Sequence, residues 1–173
     1  MTTPNYSRSS NRSAAARIAP VLRPVAREDF FPWVSLLAES LEVSGLVYRD
    51  EIALRIWQQL GHESSKTTPA SQLEALVADR SGNLIGLALM LPSISLSTGA
   101  AALDVHLAYV HRAARDEAAA RALVAAVQQR ARAIGATKIR WLAASETLHQ
   151  LAGAEPISKS GIYESNPALD VEA

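Results

Sequence analysis

The segment Ala101–Gly135 constrains the fold more than any other part of this 173-residue chain. It reads AALDVHLAYVHRAARDEAAARALVAAVQQRARAIG, so an apolar strand precedes a short arginine-containing turn and a long helix. This order places the N-terminus of a helix, with its unpaired backbone N–H groups, at the end of a strand. Such a position suits a phosphate group, although this turn has alanines and acidic residues where phosphate-binding loops favour glycine.

Composition limits the classes of function. Hydrophobic residues make up 49% of the chain, which suffices for the core of one domain. Lysine plus arginine and aspartate plus glutamate number 17 each, so we expect no nucleic-acid partner. The absence of cysteine excludes disulfides and thiolate chemistry, and the four histidines lack metal-ligand spacing, so no metal is expected. No apolar run approaches a membrane span or a signal peptide, which predicts a cytoplasmic protein with no membrane association.

The domain organisation follows from shifts in composition. Residues 1–16 are rich in serine, asparagine and arginine and predict a flexible basic arm. Residues 17–165 are expected to form a single domain, and residues 166–173 a loose tail. An alternative for residues 1–20 is an arm that binds a protein partner.

Hydrophobic periodicity predicts an α/β protein with a mixed sheet flanked by helices, in the order β-α-α-β-β-β-α-β-α-β. Pro92 is expected to break or bend the third strand, with a resumption at Ile94–Leu96, and Gly135 is expected to end the long helix. The predicted elements are strand Ala19–Val25, helices Asp29–Leu41 and Asp50–Leu60, strands Leu73–Ala78, Leu84–Leu91 and Ala101–His111, helix Asp116–Ile134, strand Lys138–Ala143, helix Ser145–Leu151 and the extended segment Pro156–Glu164.

Three local patterns, taken in order, resemble the GNAT superfamily of N-acetyltransferases over about Pro20–Glu164. ALVADRSGNLIGLALML is similar to the second and third strands of that family. LAYVHRAARDEAAARAL resembles the exit of its fourth strand, its Arg-x-x-Gly-x-Gly/Ala loop and its long helix. LHQLAGAEPISKSGIYE resembles its last helix and closing strand. The resemblance implies a mostly antiparallel GNAT-like sheet.

The resemblance also implies acetyl-CoA as a co-substrate, with its pyrophosphate on backbone N–H groups of the loop before the long helix. Arg115 matches the leading basic residue of that loop, whereas Asp116 and Ala118 occupy its two glycine positions. The acidic residues of this turn are alternatively explained as ordinary helix-start residues, with Glu117 paired to Arg121 at i,i+4. The cofactor-binding residues implied by the resemblance are Tyr109, Val110, Arg112, Arg115, Asp116, Glu117, Ala118, Ala119 and Ala120.

Acetyl transfer to an amine needs a base, an N–H group near the thioester carbonyl and an acid for the departing thiolate. Asp104 and His106 are candidate bases, because family members often carry a carboxylate on the fourth strand. The alternative makes Asp104 a solvated strand-end residue and His106 a hydrogen-bonded residue of the sheet. His149 occupies the position of the family's usual acid, a tyrosine, but is equally explained as a surface residue.

The sequence therefore predicts a GNAT-type N-acyltransferase that moves an acetyl or acyl group from acyl-CoA to a small-molecule or protein amine. A first alternative is an inactive GNAT-fold domain that serves as a structural, regulatory or protein-binding subunit. A second is a regulatory module that binds another small ligand beside the fourth strand. A homodimer would be in keeping with the resemblance.

Overall fold

The computed structural model describes residues 18–60, 73–112, 117–157 and 163–167. The predicted basic arm, the whole loop His62–Ser71, two of the implied loop residues (Arg115 and Asp116) and most of the C-terminal tail lie outside these ranges. No helix in the described part of the chain is long and apolar enough to cross a membrane.

Within the described ranges, seven strands form one sheet and four α-helices flank it, which confirms the predicted mixed α/β class. The sheet order is β1-β2-β3-β4-β5-β7-β6, and β4–β5 is its parallel pair. The strands are β1 Val21–Pro24, β2 Glu74–Arg80, β3 Asn83–Ile94, β4 Ala101–Val110, β5 Lys138–Trp141, β6 Glu155–Pro156 and β7 Tyr163–Ser165. The helices are α1 Phe30–Val43, which a 3-10 turn Arg27–Asp29 precedes, α2 Asp50–Gln59, α3 Glu117–Ala133 and α4 Glu146–Leu151.

Of the two effects expected at Pro92, the break is wrong, because β3 continues through this residue and pairs Pro92 with Leu103. Ser95 N–H donates to Ala100 O, just before β4. Because N–H groups alternate along a strand, the nitrogen of Pro92, three residues earlier, faces the other side of β3. On that side the pairing of β2 with β3 ends at Met90. The missing N–H of Pro92 therefore breaks no ladder hydrogen bond.

The closing segment also differs from the prediction of one extended stretch. It contains two short strands, β6 and β7, which pair with each other antiparallel, and β7 in turn pairs with β5. Residues 158–162 between them are outside the described ranges. The Ser160-Gly161 pair is a turn signal in the sequence that the prediction of one extended segment did not use.

The core has two halves, one on each face of the sheet. Helices α3 and α4 cover one face, where Leu123, Val127 and Trp141 are buried with Val105 of β4. Helices α1 and α2 cover the other, where Trp33 and Leu37 are buried with Leu107 of β4. The amphipathic pattern of the long helix predicts a solvent-facing Gln128, which is wrong, because this residue is buried at 2% exposure.

Candidate active-site groove

A bulge in β4 changes which side chains face which helix layer. Val105 and Leu107 should share a face in a regular strand, yet they lie in opposite halves of the core. The register explains this, because Met90 pairs with Val105 while Leu89 pairs with Leu107. His106 therefore has no partner on β3, and its side chain is exposed.

Beyond this bulge, β4 extends past the end of β5, the parallel strand beside it. Their parallel ladder ends at Val105↔Trp141, and a last contact joins Ala108 N–H to Ala143 O at 2.9 Å. The chain then leaves the sheet to begin α4, whose first turn is capped by the Ser145 hydroxyl. The final residues of β4 consequently border an open space instead of another strand.

That space is a groove of about 1000 Å³. One wall comes from the end of α1 and the loop after it, the floor from the end of β4, and the other wall from the segment between β5 and α4. The start of α3 closes one end. The residues that line the groove include Val43, Leu46, Leu107, Tyr109, Val110, His111, Arg112, Glu117, Ala120 and Leu142.

The alternation of backbone groups along β4 fixes which N–H group faces the groove. His111 N–H donates to Ile85 O on β3, whereas Ala108 N–H points the other way, to Ala143. Because N–H groups alternate along a strand, Tyr109 N–H points to β3 and Val110 N–H points into the groove. Of the two amides implied by the family resemblance, the one at Val110 has the required direction.

At the α3 end of the groove, charged residues surround the first helical turn. The Glu117 carboxylate accepts from the Arg121 guanidinium at 2.6 Å, which confirms the predicted i,i+4 pair. Ala120 lines the groove, Ala118 is exposed and Ala119 is fully buried under the helix. The exposed Arg112 supplies the positive charge at this end.

Asp104 lies outside the groove lining and is held by an arginine of β5. Both of its carboxylate oxygens accept from Arg140, at 2.6 and 2.8 Å, and Arg140 also donates to the Ser93 hydroxyl at 3.0 Å. This network joins β3, β4 and β5 on one face of the sheet. Its geometry is that of an ion pair that fixes β4 against β5.

The prediction of a surface position for His149 is wrong. Its side chain is only 7% exposed, and its ring stacks on Tyr163 of β7 with centroids 3.9 Å apart. Ala154 N–H also donates to His149 O, which caps the end of α4. The two residues are 14 positions apart in sequence, so no local pattern indicates the stack. The neighbouring Leu148, not His149, is among the described residues that line the groove.

The structure thus brings together Tyr109, Val110, Arg112, Glu117 and Ala120 around one groove. Their role as cofactor-binding residues stays a prediction. The three proposed catalytic side chains lie outside the described lining of the groove.

Sequence reasoning missed a polar cluster between α1 and the end of β4. His111 Nε2 lies 3.1 Å from Glu39 Oε2, and the buried Tyr109 hydroxyl lies close to the same carboxylate. Burial, followed by this carboxylate, raises the pKa of Tyr109 to about 12. The available signal was the position of Glu39 on the same helical face as Leu36 and Val43.

Solved structures with this fold include several acetyltransferases. The enzyme AAC(6')-Iy, in complex with a bisubstrate analog, is 18% identical with a TM-score of 0.63, over 81% of this chain and 93% of that one. A ribosomal-protein-alanine N-acetyltransferase from Brucella melitensis biovar Abortus 2308 is 22% identical with a TM-score of 0.55, over 74% and 82%. A transcriptional regulator from Bacillus halodurans C-125 is 20% identical with a TM-score of 0.58, over 73% and 83%.

No curated protein matches the chain by sequence. The sequence model of the Acetyltransferase (GNAT) family, however, matches residues 35–153, which run from within α1 to beyond the end of α4 and include the whole described lining of the groove. Because this match covers more than half of the chain, and the sheet has the corresponding topology, the chain belongs to the GNAT acetyltransferase family.

Proposed function

We propose that this chain transfers an acetyl group from acetyl-CoA to the nitrogen of an amine. Acyl transfer is the general activity of the family, and the groove at the end of β4 is the observation that supports its retention here. The groove joins a helix start, suited to phosphate, to a strand end that offers an N–H group.

In this proposal the CoA pyrophosphate lies at the α3 end, where Arg112 offsets the negative charge of Glu117. Arg115 and Asp116 would complete that end, as the family resemblance implies. The Val110 N–H donates to a carbonyl oxygen of the acyl-CoA arm. An N–H group held rigidly by the sheet stabilises such an oxygen better than water does, because it needs no reorientation.

Of the three candidate catalytic residues, we propose His106 as the base. It is exposed at the bulge, and the next residue, Leu107, lines the groove. We propose positioning roles for the other two, because Arg140 engages both oxygens of Asp104 and the His149 ring is buried against Tyr163. An imidazole changes its protonation near neutral pH, as amine deprotonation requires.

A transfer assay tests this assignment. Release of CoA thiol is measured with a panel of amines, and the acetylated product is identified by mass spectrometry. We expect His106→Gln to lower kcat about 100-fold or more. The control His62→Gln changes a histidine that the sequence places in a polar loop. Equal activity of His106→Gln and the unmodified chain would contradict the assignment.

A second candidate function is a GNAT domain that keeps the groove without the chemistry. The placement of the three candidate catalytic side chains favours it, because all three lie outside the described lining of the groove. Acetyl-CoA binding without transfer to any amine would support this alternative. A homodimer, a partner bound through residues 1–20 and a cytoplasmic location stay predictions.

A further inference from the structure

The two ends of the groove differ in chemistry. Arg112 and Glu117 make the α3 end charged and polar. The lining also has an apolar region, termed the apolar end, to which Val43 and Leu46 contribute from the α1 wall and Leu142 from the wall between β5 and α4. The proposed function uses the first end for the phosphates and leaves the second without an assigned ligand.

The apolar end is unusually exposed for side chains of this type. Exposure reaches 44% for Val43, 56% for Leu46 and 37% for Leu142. Large apolar side chains that face each other across an open groove keep hydrated surface that an apolar ligand would remove from water. This end of the groove is therefore suited to an apolar group.

Charge in the groove indicates what kind of amine fits. Among the described residues that line it, the carboxylate is that of Glu117, which Arg121 already engages at 2.6 Å. It also lies at the phosphate end, away from Val43 and Leu46. A substrate with several ammonium groups would need several carboxylates near the acceptor position, and the described lining offers no such set.

We propose that the apolar end binds the amine acceptor, and that this acceptor is a monoamine carried on an apolar alkyl or aryl body. This inference rests on the proposed function. The apolar surface continues from Val43 and Leu46 to Val47, which is 76% exposed outside the groove. A surface that leads out to solvent fits a substrate that enters from solution better than the acyl group of a cofactor bound along β4.

The reaction balances without another reactant. The ammonium group first loses a proton to the base, and the freed nitrogen lone pair attacks the thioester carbonyl carbon. The new C–N bond forms as the C–S bond breaks, and the CoA thiolate leaves with the electron pair and takes up a proton. The products are the N-acetylated amine, free CoA thiol and one proton.

Calorimetry with a homologous series of alkylamines tests this inference on the full chain. Ethylamine, butylamine and hexylamine are titrated into the protein in saturating CoA, and kcat/KM with acetyl-CoA is measured for the same amines. We expect affinity and kcat/KM to rise about 2- to 4-fold for each added CH₂ group. Spermidine, a polyamine, should be at least 10-fold poorer than hexylamine in kcat/KM.

Variants connect this trend to the apolar end. Leu46→Ser and Leu142→Ser should flatten the dependence on amine length while the affinity for acetyl-CoA stays within about 2-fold. The matched control is Leu54→Ser, which removes a leucine of similar exposure, 47%, from α2 outside the groove lining. Thermal melts of all three variants identify any loss of fold.

The outcomes separate this inference from the proposed function. An equal dependence on length in the unmodified chain and in both groove variants would overturn the acceptor site. A preference for octanoyl-CoA over acetyl-CoA, in place of a preference for long amines, would also overturn the acceptor site. If acetyl-CoA does not bind but the amine series still depends on Leu46 and Leu142, the proposed function fails and the apolar amine site stands.

Discussion

At the scale of single residues, one glycine controls how closely β3 approaches the groove floor. A Cβ atom at Gly86 would lie 3.1 Å from the backbone oxygen of Tyr109 and 3.4 Å from the Ala78 side chain. The nearer contact is with backbone, which moves less easily than a side-chain end. Gly86 pairs with Val110, whose N–H group points into the groove. A displacement of β3 at Gly86 would therefore move the N–H group that is proposed to donate a hydrogen bond to acyl-CoA.

Gly86→Ala should therefore weaken acetyl-CoA binding more than it weakens the fold. We expect the dissociation constant to rise about 5-fold or more and the free energy of unfolding to fall by about 1–3 kcal/mol. Calorimetric titration and urea denaturation measure the two quantities. Unchanged acetyl-CoA affinity in the variant would contradict the assigned role of the Val110 N–H.

A second residue-scale prediction concerns Tyr109, whose pKa is raised to about 12 from 10.0. A raised pKa means that folding favours the neutral phenol, so its contribution to stability is complete below pH 10. The contribution is lost as pH rises from about 10 to 12, because the unfolded chain ionises first. Absorbance titration near 295 nm should show a tyrosine that ionises near pH 12, and Tyr109→Phe should remove it.

The Tyr109 hydroxyl makes no hydrogen bond of normal length to the residues that the structure describes, so Tyr109→Phe should not reduce stability at pH 7. A loss of 2 kcal/mol or more, about the cost of breaking a buried hydrogen bond, would show that the hydroxyl has a partner.

At the scale of elements, the parallel pair β4–β5 depends on the ion pair between Asp104 and Arg140. Its two carboxylate contacts are short, and the side chains are only 16% and 26% exposed. Pairs of this kind stabilise a structure more than solvated ones do, because removal of one partner leaves a half-buried charge.

Asp104→Asn should lower the free energy of unfolding by about 1–3 kcal/mol, whereas Glu117→Gln, which breaks an exposed pair, should cost about 0.5 kcal/mol or less. Chemical denaturation measures both. With His106 as the base, kcat of Asp104→Asn should fall by less than 10-fold under conditions where the variant is folded. A loss of 1000-fold in kcat with little change in stability would identify Asp104 as the base instead.

Two long elements show where prediction from the sequence succeeds. Helix α3 and strand β4 were predicted to within a few residues, because their periodicity is long and Gly135, with its positive φ of 68°, ends the helix signal clearly. The bulge at His106 was not predictable, since an extra residue in one strand leaves no mark on hydrophobic alternation until the partner register is known. The continuous β3 at Pro92 likewise depends on where β2 ends.

At the scale of the whole molecule, the site residues that share the β4–α3 junction were predictable and the others were not. Tyr109, Val110, Arg112 and Glu117 are close in sequence, so a single strand–turn–helix unit brings them together. The apolar end, in contrast, combines α1 with the segment after β5, about 100 residues later. Only the packing of α1 across the sheet places Val43 and Leu142 around one groove.

The proposed function requires that the groove at the end of β4 binds an acyl-CoA. Isothermal titration of acetyl-CoA into the full chain tests it most directly, with Gly86→Ala as the variant that disturbs the groove floor. We expect a dissociation constant for acetyl-CoA in the micromolar range for the unmodified chain and clearly weaker binding for Gly86→Ala. The absence of any binding heat at millimolar acetyl-CoA would contradict it.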